Sequence, residues 1–218
     1  LYITAAGNFA EEHYQADFNG YEDHGYLWHN FNGSFGRDMK FTVQPGLAGH
    51  VILQWDDKFD SSANNYDLFL YDESEREIAR SVNHQDGDGD PMEWVRFVNS
   101  GDEAKEFTVR VVQAAADDAL LKIYVLPLSG RSVKLDPCTS SGSLFGQQAV
   151  KQALVVGAAA QGKNLTVRGY SSRGPVLIRY PAYELRKKPD LVAPDHVTIL
   201  TSSMRPAVFT GTSASAPH

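Results

Sequence analysis

A single cysteine, Cys138, leaves this chain no internal disulfide to form, which excludes a small scaffold stapled by cross-links. Basic residues are in deficit: 20 Lys and Arg stand against 27 Asp and Glu, for a formal net charge of −7. A nucleic-acid partner is therefore not expected. No apolar run approaches the ~20 residues that a membrane-spanning helix needs. Nor does a basic start followed by an apolar stretch head the chain, as a signal peptide would require. It opens instead on Leu1-Tyr2-Ile3-Thr4-Ala5-Ala6, which reads as the middle of a buried strand and thus as a piece of something longer.

What is present is ordinary for a folded protein. Hydrophobic residues make up 42% of the 218 and charged residues 22%, enough apolar matter for one large domain or two modest ones. Three stretches differ in character. Residues 1–8 are a short apolar run ending in Gly7-Asn8. Residues 9–135 alternate apolar and polar positions. Phe41 and Val43 share a face, as do Val51, Leu53 and Trp55, then Leu68 and Leu70, and Val95 and Phe97. Phe107, Val109 and Val111 follow, then Leu121, Ile123 and Val125. Breakers such as Gln44-Pro45-Gly46, Asp60-Ser61-Ser62 and Ser100-Gly101-Asp102 separate these runs, so the pattern predicts an antiparallel β-sandwich of jelly-roll type.

From about residue 140 the runs turn continuously apolar, as in buried parallel strands. Phe145–Val150 reads as a short helix, and Ala153–Ala159 and Asp190–Pro194 as buried strands. Gly211–His218 reads as the start of a helix. Parallel strands need crossover connections, so this stretch is an α/β sheet fragment.

The chemistry concentrates in Gly211-Thr212-Ser213-Ala214-Ser215-Ala216-Pro217-His218. A nucleophilic serine needs an exposed hydroxyl, small neighbours and a helix N-terminus that favours developing negative charge. Ala5-Ala6-Gly7-Asn8 ends a strand on an amide, a group suited to donate to an oxyanion. Tyr170-Ser171-Ser172-Arg173-Gly174-Pro175 and Lys188-Pro189-Asp190-Leu191-Val192-Ala193-Pro194-Asp195 complete four motifs in one order.

Together these motifs resemble the subtilisin-like serine peptidases, over residues 1–8 and about 140–218. The resemblance implies that Ser213 is the nucleophile and Asn8 the side-chain donor of the oxyanion hole. It implies no required cofactor, protein or peptide substrates, and a secreted or extracellular setting, including a bacterial surface or periplasm. The fold class follows: an α/β fragment of a subtilisin-like parallel sheet, interrupted by a large all-β insert. The expected division is 1–9 for the first strand and oxyanion loop, 10–135 for the inserted sandwich, and 136–218 for the remaining strands and the nucleophile helix.

Two departures bear on activity. In this family the triad Asp and His precede the oxyanion motif, so they are expected upstream, in the remainder of the parent catalytic domain. The fragment alone is then expected to be inactive. At Asp195 the family usually has glycine; aspartate tolerates left-handed turns, so the turn is expected to survive in altered shape. The inserted stretch, with Asn65-Tyr66-Asp67-Leu68-Phe69-Leu70-Tyr71-Asp72, is similar to bacterial pre-peptidase C-terminal domains. Rival readings are a non-catalytic β-sandwich binding module and a fragment of a pseudopeptidase.

Other features carry less. Asp86, Asp88 and Asp90 alternate with glycines as calcium loops do, but lack the later bidentate glutamate of an EF-hand. His13, His24 and His29 lie near Glu11, Glu12 and Asp23 without the spacing of a transition-metal site. Asn32-Gly33-Ser34 and Asn164-Leu165-Thr166 are glycosylation sequons in a eukaryotic secretory host. Arg186-Lys187-Lys188 reads as a solvated loop.

Overall fold

The apolar–polar alternation of the middle stretch becomes strand after strand, most with one face inward and the one at Lys105–Ala115 buried on both over 107–112. In the computed structural model, which describes residues 1–33, 36–128, 132–162 and 166–218, the chain divides into two compact units. One comprises Leu1–Glu11 with Thr139–His218, the other Glu12–Cys138. Ser34 and Asn164 of the two sequons lie outside the described residues.

In chain order, β1 (Ile3–Ala5) belongs to the first unit. The second unit then contributes β2 (His13–Asp17), β3 (Gly20–Asp23), β4 (Tyr26–His29), β5 (Met39–Val43), β6 (Ala48–Trp55) and β7 (Asn65–Tyr71). It continues with β8 (Glu77–Ser81), β9 (Met92–Val98), β10 (Lys105–Ala115), β11 (Leu120–Pro127) and β12 (Leu135–Asp136). These form two antiparallel sheets. One runs β2-β11-β6-β9; the other runs β12-β5-β10-β4-β3, with β7 and then β8 added beside β10. Between them lies one core that includes Phe41, Val51, Leu53, Trp55, Leu68, Phe97, Val109 and Ile123. Phe41 sits between Phe97 and Phe107 with ring centroids 5.2 and 5.6 Å away. Each such side chain contributes about 1.5–3 kcal/mol on burial. The described residues of this unit contain no helix.

The first unit is built on a parallel sheet of order β1-β13-β16, with β13 (Leu154–Ala159) in the centre and β16 (Leu191–Pro194) at one edge. Two hairpins accompany it, β14 (Val176–Ile178) with β15 (Glu184–Arg186), and β17 (Val197–Leu200) with β18 (Pro206–Phe209). A single helical turn, α1 (Thr212–Ser215), packs against β13. The helix expected at 145–150 is a 3₁₀ turn, Gly146–Ala149, opened by a glycine with φ of 60°. No described helix is long and apolar enough to cross a membrane.

In the basic run at 186–188 only Lys187 is exposed, so the expectation of a solvated loop is corrected at Arg186 and Lys188. Arg186 Nη1 donates to the Ala149 carbonyl at 2.6 Å, and Lys188 is buried. The Lys188 ammonium donates to the Ala153 carbonyl at 2.6 Å and to both Asp190 oxygens at 2.8 and 3.0 Å. Asp190 Oδ2 also accepts the Val155 N–H at 2.7 Å, so this pair ties the approach to β16 onto β13. Burial alone would raise the Asp190 pKa; the Lys188 ammonium and the Val155 N–H overcome it and hold the carboxyl below its usual range. Lys188→Met fills the same space without the charge. It is expected to lower stability by about 2 kcal/mol, because hydrogen bonds to charged groups contribute ~1.5–3 kcal/mol. Urea unfolding measures the difference, and an unchanged midpoint would show that the pair is dispensable.

Candidate active site

Two residues after β1, Gly7 has a φ of 89°, a value only glycine adopts freely, and the chain there turns out of the sheet. This turn places Asn8 in solvent beside α1. Asn8 Oδ1 accepts the Thr212 backbone N–H at 3.0 Å and the Thr212 hydroxyl at 3.0 Å, across 204 positions of sequence. Thr212 Oγ1 in turn accepts the Gly7 N–H at 3.1 Å. Gly211 is fixed by the same approach: a Cβ there would stand 2.9 Å from Asn8 Nδ2, and its φ is 109°. The strand-end amide and the Gly211–Ser213 turn are thus brought together by direct hydrogen bonds.

With Oδ1 committed to Thr212, Asn8 Nδ2 is left as an exposed donor with no hydrogen bond among the described residues. Ser213 is likewise exposed. Its N–H lies in the first turn of α1, where backbone donors lack intrahelical acceptors. Ala214 and Ser215 N–H both turn back to the Gly211 carbonyl, at 2.9 and 3.3 Å. Two donors and a hydroxyl therefore meet solvent together, which is what an oxyanion and an acyl group would require. The Ser213 hydroxyl has no histidine partner among the described residues; within this unit the histidines are His196 and His218.

The serine-rich turn after β13 braces the Asn8 loop from beneath. Ser172 Oγ accepts the Phe9 N–H at 3.0 Å, and the Ser172 N–H donates to the Gly7 carbonyl at 2.9 Å. Ser171, buried, accepts the Ala158 N–H of β13 at 3.0 Å. Further along, the Ala10 N–H donates to the Tyr170 carbonyl at 3.2 Å.

Neither a protein-family model nor a curated protein matches the chain. Among solved structures it is similar to the CspB protease of Clostridium perfringens, with a TM-score of 0.61 at 14% identity. That likeness covers 99% of this chain and 46% of the protease, so the chain spans less than half of its neighbour's length. A carbohydrate-binding module of the β-sandwich superfamily aligns at a TM-score of 0.27 and 8% identity, over 58% of this chain and 63% of that one. At such identity the likeness to the protease is one of fold.

Asp195 departs from the expectation of a reshaped left-handed turn. The left-handed residue is the next one, His196, with φ of 63°. Asp195 is fully buried, and its carboxylate accepts hydrogen bonds from Arg168 Nε at 2.7 Å, the Tyr170 hydroxyl, and the Gly211 N–H at 3.3 Å. Burial opposes ionisation here, yet the Tyr170, Arg168 and Gly211 donors hold the carboxyl below its usual pKa. Burial and the neighbouring carboxylate push the Tyr170 phenol up to about 12.

The remaining candidates are not assembled. Asp86, Asp88 and Asp90 are exposed, and Asp90 Oδ1 accepts the Asp60 N–H at 2.9 Å. No group of three or more His, Cys, Asp or Glu able to hold a metal ion occurs among the described residues. His29 is buried against Tyr14 and His24 pairs with Asp23, so these two have structural partners of their own.

Proposed function

We propose that this chain is the nucleophile-bearing part of a subtilisin-like serine endopeptidase, acting outside the cytoplasm on protein or peptide substrates and needing no cofactor. The observation that carries the reading is the seating of the Asn8 amide on Thr212, the residue before Ser213. On this reading Asn8 Nδ2 and the Ser213 N–H are the oxyanion donors and Ser213 Oγ is the attacking atom. The small parallel sheet supports this, since β1 and α1 deliver the two groups to the end of β13. The fold likeness to a protease adds to it.

Attack by Ser213 Oγ on a peptide carbonyl needs a base to take its proton, and an acid to hold that base in the right tautomer. The reading assigns both to parts of the parent protein upstream of these residues. The 218-residue chain by itself is therefore expected to remain unlabelled by a fluorophosphonate, while the parent is labelled at Ser213, as peptide mapping by mass spectrometry would detect. Labelling of the isolated chain at Ser213 at the parent's rate would overturn the division of labour. No labelling of the parent at all would favour a pseudopeptidase.

A further inference from the structure

Three successive amides of the nucleophile turn have distinct fates. The Ser213 N–H is free for substrate. The Thr212 N–H goes to Asn8, and the Gly211 N–H goes to Asp195. The last is the least expected, because a buried carboxylate is costly unless it is paired and hydrogen-bonded. Here Arg168 supplies the charge and Tyr170 the second donor. Arg168 and Tyr170 belong to the segment whose Ser172 grips Phe9 and Gly7 in the Asn8 loop. The two halves of the site, reached from opposite ends of the sequence, are thus fastened to one short stretch of chain, residues 168–172.

We infer that Asp195 is a positioning residue for the nucleophile turn: its carboxylate, anchored by Arg168 and Tyr170, holds Gly211 and so fixes the place of Ser213 relative to Asn8. The inference rests on the peptidase reading above, and it adds a group that never touches substrate. The carboxylate is wholly buried, so it cannot act as base or acid on a substrate. Its effect on catalysis is geometric. An ångström of misplacement at a reacting centre costs on the order of 10²-fold in rate, and a glycine turn freed of its acceptor can move that far.

Asparagine at position 195 keeps the shape but gives up the charge that Arg168 needs. If its oxygen takes the Oδ1 place facing Arg168, its amide nitrogen faces the Gly211 N–H, donor against donor; turned over, the nitrogen meets Arg168 Nε instead, so one donor is left without its acceptor either way. In the full parent, Asp195→Asn is expected to lower kcat between about 10- and 100-fold with KM changed less than about twofold, since the substrate contacts themselves are intact. The second-order rate of fluorophosphonate labelling falls by the same factor. Arg168→Gln, which leaves the carboxylate in place but unpinned, falls between wild type and Asp195→Asn.

A readout without activity uses the 218-residue chain. The Gly211 amide resonance in ¹⁵N spectra is expected to titrate with a carboxyl group at acid pH, and Asp195→Asn abolishes that titration. The outcomes separate cleanly. If Ser213→Ala stops hydrolysis but Asp195→Asn turns over within twofold of wild type, the positioning role is wrong and the peptidase reading stands. A Gly211 amide that ignores pH in the unsubstituted chain overturns the contact itself, even if the variant fails to fold. If the Ser213→Ala parent remains active, the peptidase reading fails, and the amide titration alone decides the role of Asp195 in the turn.

Discussion

In the parent protein, Ser213→Ala is expected to remove peptide hydrolysis, and Asn8→Ala to slow turnover by about 10²–10³ with little change in KM. The second factor is the one known for such a donor in subtilisin itself, not a quantity that the present geometry yields. The geometry does say how to separate the donor from the brace. Asn8 Oδ1 anchors Thr212, and Nδ2 is the group aimed at solvent. Alanine deletes both. Aspartate keeps an oxygen for Thr212 and puts a negative charge where the oxyanion would form. Asn8→Asp is therefore expected to fold as well as wild type and to be at least as slow as Asn8→Ala. Steady-state kinetics on a peptide substrate, with thermal unfolding as the control, decides it. Full activity in Ser213→Ala would end the assignment, and full activity in Asn8→Asp would leave Asn8 a structural brace.

The long strands of the sandwich were legible because their period of two is uninterrupted. Val51, Leu53 and Trp55, or Phe107, Val109 and Val111, can bury one face only as strands. Short strands were not. In β2 (His13–Asp17), polar residues fill the pattern, and β17 with β18 enclose Thr201, Ser202 and Ser203, which read locally as loop. The Gly211 and Asn8 segments were legible as motifs, but nothing in either one announces a hydrogen bond to the other across the chain. Lys188 illustrates the converse: a basic run suggests solvent, whereas its ammonium is buried on the Ala153 carbonyl. Asp195 was legible only as a turn residue, and its partners were hidden for a related reason. Its partners Arg168 and Tyr170 lie 27 and 25 positions upstream, beyond any local pattern. The one clue was an acidic residue after an apolar Leu-Val-Ala-Pro strand, and a turn explained it equally well.

The sandwich is expected to lose stability as pH falls from about 6.5 toward 4, and the core histidine His29 contributes a defined share of that loss. His29 is fully buried at the end of β4, among the rings of Tyr14, Phe18 and Phe31. The Asn19 N–H donates to its Nδ1 at 3.2 Å, which leaves the proton on Nε2, 2.9 Å from the Tyr14 hydroxyl. A second proton on Nδ1 would point at the Asn19 N–H inside an aromatic box with no carboxylate among its hydrogen-bond partners. Burial accordingly lowers the His29 pKa from 6.5 to about 4. The sign follows from linkage. Between those two values the unfolded chain binds a proton that the folded chain refuses, so stability falls with falling pH and levels off below the folded pKa. One proton over that interval amounts to about 3 kcal/mol, at ~1.4 kcal/mol per pH unit. Carboxylates titrate in the same range, so the informative quantity is a difference. His29→Gln retains groups able to meet Asn19 and Tyr14 but does not titrate. Its urea-unfolding free energy is expected to run parallel to wild type above pH 7, and to decline less by about 3 kcal/mol between pH 6.5 and 4. Equal slopes for the two proteins, or a His29 ring that titrates near 6.5 by NMR, would mean that water reaches the box and that His29 is not the acid-labile point of the sandwich.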